Sequence, residues 1–123
     1  MALVLCTGTD PVLLQTRKLI LEQAGHTVVP TMNERELISA CDQHDFDVAV
    51  IGQGISVRMK RVLVSLIREE CPSIRILELY YPHDGKAVDD ADSWLQVPFV
   101  APAELAERVN ELAERDNRKR ASG

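Results

Sequence analysis

The run Val48-Ala49-Val50-Ile51 constrains the fold of this chain more than any other segment. It consists of four consecutive apolar residues, preceded by Asp47 and closed by Gly52. A strand with one face in water alternates polar and apolar residues, whereas a strand covered on both faces is apolar throughout. The run therefore predicts a central strand of a parallel sheet that carries helices on both sides.

The rest of the chain alternates short apolar segments with amphipathic ones. Asp10-Pro11 is typical of a helix start, because the aspartate can accept hydrogen bonds from free backbone N–H groups and proline suits the first turn. Further apolar segments predict strands at residues 3–6, 27–29, 74–80 and 94–97. This order predicts a flavodoxin-like α/β fold, a three-layer sandwich whose five-stranded parallel sheet has the order 2-1-3-4-5. For the first helix we expect an inner face made of Val12, Leu13, Thr16, Leu19, Ile20 and Gln23.

The composition indicates one soluble domain. Of 123 residues, 46% are apolar and 27% are charged, and we place the domain at residues 1–116. Residues 117–123 contain the basic cluster Arg118-Lys119-Arg120 and are expected to form a disordered tail or the start of a linker. The longest apolar run, at residues 1–6, has six residues, too few to span a membrane, and the net charge of −5 argues against generic nucleic-acid binding.

Cysteine usage and the N-terminal pattern bear on the compartment. Cys6, Cys41 and Cys71 are widely spaced and include no C-x-x-C pair, as expected of small buried side chains in a reducing compartment. The first residues lead directly into a strand pattern, without a basic region and a cleavage site. We therefore expect a cytoplasmic protein. No spacing matches a metal site or a phosphate-binding glycine loop, so we expect neither metal nor cofactor.

Four segments resemble the receiver domains of two-component response regulators, over residues 3 to 115. The most specific is Trp94-Leu95-Gln96-Val97-Pro98-Phe99, because the family ends its fifth strand in Lys-Pro-Phe. The others are the first strand with its helix start at residues 3–14, the turn into the second strand at residues 22–29, and the third strand at residues 47–52.

The resemblance also shows which residues are missing. Active receivers use an acidic pair after the first strand to hold Mg²⁺, an aspartate after the third strand as nucleophile, a Thr or Ser after the fourth and a Lys after the fifth. The matching positions here are Gly8 and Thr9 (with Asp10 beside them), Gly52, Tyr80 and Val97. Phosphoryl transfer in this family depends on positioning and charge stabilisation, so the resemblance implies a degenerate receiver without catalysis.

The segment between the fourth and fifth strands departs from the family as well. Receivers carry a full helix there, whereas residues 81–90 contain Pro82 and Gly85 and few apolar residues, so we expect that helix to be short or missing. Glu78 lies in the fourth strand, where an unpaired carboxylate would be costly. We expect it to reach solvent through the gap or to pair with a nearby Arg or Lys.

The resemblance implies signalling through contacts with a protein partner, an output domain or a second copy of the chain. Trp94 and Phe99 are candidates for the interaction surface, because receivers meet their partners beside the fifth strand. Two alternatives stay open. Cys6, before a helix start, resembles the phosphorylated cysteine of phosphotransferase-system B components, and the vacated pocket could instead sense a small ligand.

Overall fold

The computed structural model describes the backbone of residues 2–122 and the side chains of residues 2–114. Strands and helices alternate up to the fourth strand. The fifth strand then follows without a helix between them, and a last helix ends the fold. The elements are β1 (Leu3–Thr7), α1 (Pro11–Gln23), β2 (Thr27–Thr31), α2 (Glu34–Gln43), β3 (Val48–Ile51), α3 (Val57–Glu70), β4 (Arg75–Tyr80), β5 (Ser93–Gln96) and α4 (Ala103–Ser122).

All neighbouring strands run parallel, and their order is β2-β1-β3-β4-β5. Val4 lies between Val28 and Val48 in adjacent strands, so the apolar residues of β1, β2 and β3 stand side by side. The predicted flavodoxin-like fold and strand order are therefore confirmed. The run that predicted a central strand is β3, whose four residues are all buried.

Each face of the sheet has its own apolar core. On one face α1 and α4 pack on the sheet through Leu14, Leu21, Leu105, Val109 and Leu112. On the other face α2 and α3 pack through Leu37, Ala40, Leu63, Val64 and Ile67. Because both cores are continuous, every strand end at the carboxyl edge is held in a fixed position relative to the others.

Residues 81–92, all of which the structure describes, form turns and no helix, as the sequence predicts. They nevertheless bury Val88 and Ala91 in the same core as α2 and α3, and Ala87 is buried as well. Two backbone N–H groups of this linking segment, those of Ala87 and Val88, donate to the Glu78 carboxylate at 2.9–3.0 Å. The segment thus covers the sheet beside α3 without a helix.

Glu78 is fully buried, so the expectation that it reaches solvent is wrong, while the expected pairing with a basic residue is confirmed. Its partner is Lys60 of α3, whose Nζ lies 2.8 Å from Glu78 Oε2 and also donates to the Leu79 carbonyl at 2.9 Å. Lys60 is 4% exposed. A buried carboxylate is tolerated here because it accepts a hydrogen bond from a cation and from two backbone amides.

The predicted inner face of α1 is wrong for most of its residues, although Ile20 does pack against the core. Val12 is 70% exposed and Leu19 is 51% exposed, whereas the buried residues of the helix are Leu14, Arg17 and Leu21. The helix is rotated relative to the prediction because its apolar residues occur on more than one side, and the packing of Leu14 and Leu21 against the sheet decides between the sides.

The side chains of residues 115–123 lie outside the described part of the chain, so the tail or linker expected at residues 117–123 stays a prediction. Among the described helices, none has the length and apolar character needed to cross a membrane.

Candidate functional site at the carboxyl edge of the sheet

The chain turns that follow β1, β3, β4 and β5 meet at the carboxyl edge of the sheet, where open α/β folds bind ligands. Gly8 directly follows β1, and its N–H donates to the Thr31 carbonyl at 3.2 Å. Gly52 directly follows β3 and donates to the Thr7 carbonyl at 2.9 Å. The structure thus brings the glycines of two predicted site positions to neighbouring places on one edge.

A side chain at Gly52 would be crowded. A Cβ added to it would lie 2.8 Å from Nη1 of Arg17 and 3.0 Å from the Thr7 carbonyl oxygen. At Gly8 the added Cβ would meet Leu14 at an ordinary 3.5 Å. A side chain at the third-strand position would therefore have to displace the end of the Arg17 side chain, whereas one at the first-strand position would fit.

Arg17 is the residue that fills the space above Gly52. It comes from the buried side of α1, is 4% exposed, and its Nη2 donates a hydrogen bond to Oε1 of Gln53. Burial lowers the pKa of the guanidinium, while the nearby Cys6, Tyr81 and Asp10 groups oppose that shift. The site consequently holds a fixed positive charge of its own among mostly neutral groups.

Asp10 is exposed and is committed to capping α1. Its Oδ1 accepts from the backbone N–H of Val12 at 2.9 Å and of Leu13 at 3.4 Å, which satisfies free donors of the first helical turn. Thr9 beside it is also exposed. Among the described residues, no three His, Cys, Asp or Glu side chains come together in an arrangement that could hold a metal ion.

Tyr80 and Val97 occupy the ends of the last two strands. Tyr80 is the final residue of β4 and is half-buried, and the N–H of Val97 donates to its carbonyl at 2.9 Å. Val97 is 3% exposed, packs in the core with α1 and α4, and precedes a cis peptide bond to Pro98. Tyr80 carries its hydroxyl at the far end of a bulky ring instead of next to the backbone as in Thr or Ser, and Val97 lacks the ammonium group that the matching position of active receivers carries.

A cleft of about 510 Å³ opens at the same edge, on the side of α2 and α3. Its walls combine the first-strand turn with apolar side chains and the start of α2, namely Thr7, Gly8, Thr9, Met32, Asn33, Glu34, Arg35, Ile55, Met59 and Leu63. Met32 and Met59 are 42% and 39% exposed, and flexible thioethers of this kind adapt to ligands of different shape.

Cys6 lies beneath the site and not in it. It is 1% exposed, and burial raises the pKa of its thiol to about 12, with the Arg17 charge acting in the opposite direction. Since the thiolate is the reactive form of cysteine, both features oppose a nucleophilic role.

No protein-family model and no curated protein sequence matches this chain. Solved structures do. NtrX from Brucella abortus, in complex with ADP, superposes with a TM-score of 0.84 at 14% identity over 98% of this chain, which spans 28% of the NtrX chain. The receiver domain of the Francisella response regulator 1452 gives 0.77 at 22% identity, covering 94% of this chain and 98% of that one. The chemotaxis response regulator CheY4 of Vibrio cholerae gives 0.73 at 26% identity, covering 91% and 98%.

The chain has the fold of a response-regulator receiver domain. Within this receiver fold, the two residues predicted to form an interaction surface lie on opposite faces of the sheet. Trp94, in β5, packs against the core shared with α2 and α3, whereas Phe99, after β5, packs against the core shared with α1 and α4. Both are half-buried, and because they belong to different faces they do not form one continuous patch.

Trp94 is held in place by the linking segment of the receiver fold. Its Nε1–H donates to the Val88 carbonyl at 3.0 Å, and the Lys86 ammonium lies 4.8 Å above its ring, within cation–π distance. Arg108 of α4 donates to the Trp94 carbonyl at 2.7 Å. The indole is therefore a fixed feature of this edge.

Arg17 and Lys60 are two buried charged residues that the sequence interpretation did not identify. For both, the spacing to neighbouring apolar residues indicates a position on the buried face of a helix. Arg17 lies between Leu14 and Leu21 on one helical face, and Lys60 precedes Leu63, Val64 and Ile67 at the intervals of three, four and seven residues that mark a buried stripe.

Proposed function

We propose that this chain is a receiver-like signalling domain of a two-component-type pathway that acts through protein–protein contacts without accepting a phosphoryl group. It performs no catalysis in this proposal. The fold supports the assignment to receiver-like signalling, and the contents of the carboxyl edge support the loss of phosphorylation.

The observation that carries the proposal is Arg17 above Gly52. A phosphoryl group is taken up by a carboxylate nucleophile, and Gly52 offers no side chain. The guanidinium occupies the space into which an aspartate at this position would extend, since a single added carbon already lies 2.8 Å from Nη1. Arg17 thus places a permanent positive charge where an active receiver would bind its metal ion.

The partner surface we propose is the β5 edge, bordered by Trp94 and Phe99. This edge is presented in one arrangement, because Glu78, Lys60 and Arg108 fix the linking segment and the strand by buried or half-buried hydrogen bonds. A protein partner, an output domain or a second copy of the chain would bind a preformed surface, which reduces the ordering cost of association.

The same proposal covers the remaining expectations. The domain comprises residues 1–116, with residues 117–123 as a tail or linker, and it works in the cytoplasm without a metal or cofactor. The net charge of −5 favours protein partners over nucleic acid or anionic membranes.

A titration with Mg²⁺ and beryllofluoride, a phosphoryl mimic, tests the proposal. We expect no saturable change in Trp94 fluorescence, with an active receiver treated in parallel as the positive control. A saturable response in the wild type that is lost in Asp10→Asn would show that the site still assembles a metal and phosphoryl complex, and would overturn the proposal.

A second candidate function is the sensing of a small ligand, and the cleft beside Gly8 favours it. Its volume of about 510 Å³ lies within the range of small-molecule sites, and its lining combines apolar side chains with polar ones. Screening metabolites by thermal shift would test it. A stabilising ligand that loses its effect in Met59→Glu, a variant at an exposed wall residue, would support sensing, whereas a screen without any such ligand would contradict it.

The carrier alternative through Cys6 has less support, because that thiol is buried and its pKa is raised to about 12. Incubation with a phosphorylated carrier protein, followed by intact mass, would show a phosphoryl adduct that Cys6→Ser removes if the alternative held.

A further inference from the structure

The other end of the molecule holds two neighbouring thiols that the proposed function does not use. Cys41 lies in the last turn of α2 and Cys71 is the residue that caps the end of α3. Both side chains line one cleft, and each thiol is close enough to affect the pKa of the other. Both are free cysteines.

The topology explains why they meet. Each helix that links two parallel strands runs back from the carboxyl edge to the amino edge of the sheet. Because α2 and α3 cover the same face side by side, their C-terminal ends lie next to each other at the amino edge. One cysteine at each end therefore brings two thiols together, although 30 positions separate them in sequence.

The pair lies just beneath the surface. Cys41 is 8% and Cys71 is 9% exposed, compared with 1% for Cys6 on the other face of the sheet. Both line an open cleft of about 430 Å³, together with His44, Phe46 and three acidic residues, which are Asp42, Asp45 and Glu70. A small oxidant can enter such a cleft without unfolding of the domain.

We propose that Cys41 and Cys71 form a redox modification site, in which a peroxide converts the two thiols into an intramolecular disulfide. One sulfur attacks the peroxide oxygen and becomes a sulfenic acid, and a water molecule leaves. The second sulfur then attacks the sulfenic sulfur, forms the S–S bond and releases a second water. The thiols lose two electrons and two protons, and one molecule of hydrogen peroxide is reduced to two molecules of water.

Either sulfur can act first, because both thiols are free and line the same cleft. Burial and the carboxylates of Asp42, Asp45 and Glu70 oppose ionisation of the pair, so the reaction at neutral pH is slow and becomes faster as pH rises.

The disulfide would join the C-terminal ends of α2 and α3 and close a loop of the chain between them. Such a link stabilises the folded state by restricting the unfolded chain, and we expect the midpoint of thermal unfolding to rise by roughly 5–10 °C. The inference does not depend on the proposed function, because it concerns the opposite edge of the sheet.

The test uses the folded full chain, reduced and then treated with hydrogen peroxide. We expect the intact mass to fall by two hydrogens per chain and peptide mapping to join the peptides of Cys41 and Cys71. Cys6→Ser is the matched control and should still lose two hydrogens. Cys71→Ser should instead accumulate a sulfenic acid at Cys41, detected by its reaction with dimedone, and Cys41→Ser should form no intramolecular link.

Three results would overturn the proposal. The first is a folded wild type that keeps both thiols under conditions that oxidise the urea-unfolded chain. The second is a cross-link that involves Cys6 or a second chain. The third is an unchanged loss of two hydrogens in Cys41→Ser. The wild-type peptide map decides the matter even if a variant fails to fold.

Discussion

Replacement of Lys60 by methionine tests the role of the buried ion pair in holding the linking segment. Methionine keeps most of the apolar stem but removes the ammonium group, which lies 2.8 Å from Glu78 Oε2 and 2.9 Å from the Leu79 carbonyl. The Glu78 carboxylate then stays fully buried with only the N–H groups of Ala87 and Val88 as donors.

The expected cost follows from that geometry. Breaking a buried pair by removing one partner destabilises a protein by about 3–5 kcal/mol, because an uncompensated charge stays in the interior. Total stabilities of about 5–15 kcal/mol make this a large fraction. Adding Glu78→Gln should restore about 1–3 kcal/mol, since the amide oxygen can still accept from the two backbone N–H groups without carrying a charge.

Urea unfolding, followed by circular dichroism and by Trp94 fluorescence, measures both free energies. Arg68→Met is the matched control on the same helix, because the Arg68–Asp90 pair has side chains that are 38% and 72% exposed and should contribute at most about 1 kcal/mol. The reasoning is refuted if Lys60→Met costs no more than Arg68→Met, or if the double variant is less stable than Lys60→Met alone.

Further predictions concern the carboxyl edge and the buried thiols. Gly52→Ala should destabilise the domain by about 1–3 kcal/mol, because its Cβ would crowd Arg17 and the Thr7 carbonyl, and urea unfolding should show a smaller cost in an Arg17→Met background; equal costs in both backgrounds would contradict the proposed contact. Burial raises the pKa of Cys6 and of Cys71 from 9.0 to about 12, so each thiol's contribution is complete below pH 9 and is lost as pH rises from 9 towards 12. For Cys6 this amounts to about 1 kcal/mol between pH 8 and pH 10, and urea unfolding of Cys6→Ala should show a pH-dependent loss smaller by that amount; an identical loss in the two proteins would contradict the assignment.

Much of the fold could be predicted because it depends on local patterns. The four apolar side chains at residues 48–51 can all be buried only in a strand that is covered on both faces of the sheet. The alternation of strands and helices is compatible with few topologies besides the observed one. The missing helix could also be predicted, since Pro82 and Gly85 interrupt a segment with few apolar residues. These are properties of neighbouring residues, which a sequence shows directly.

The buried charges could not be predicted in the same way. Arg17 reaches Gln53 and Lys60 reaches Glu78, and neither partner is a sequence neighbour. A periodicity argument treats arginine and lysine as solvent-facing, which is why it places Val12 and Leu19 on the inner face of α1, whereas the buried residues are Leu14, Arg17 and Leu21. The absence of an aspartate at position 52 is visible in the sequence, whereas the guanidinium that takes its place is visible only in the structure.

The central claim is that the carboxyl edge no longer accepts a phosphoryl group. Incubation of the chain with acetyl phosphate and Mg²⁺, followed at once by intact mass spectrometry, tests that claim most directly. An active receiver treated in the same way shows that the reagent works. We predict an unchanged mass for this chain at all reagent concentrations that phosphorylate the control. A phosphoryl adduct on the folded chain would contradict the account.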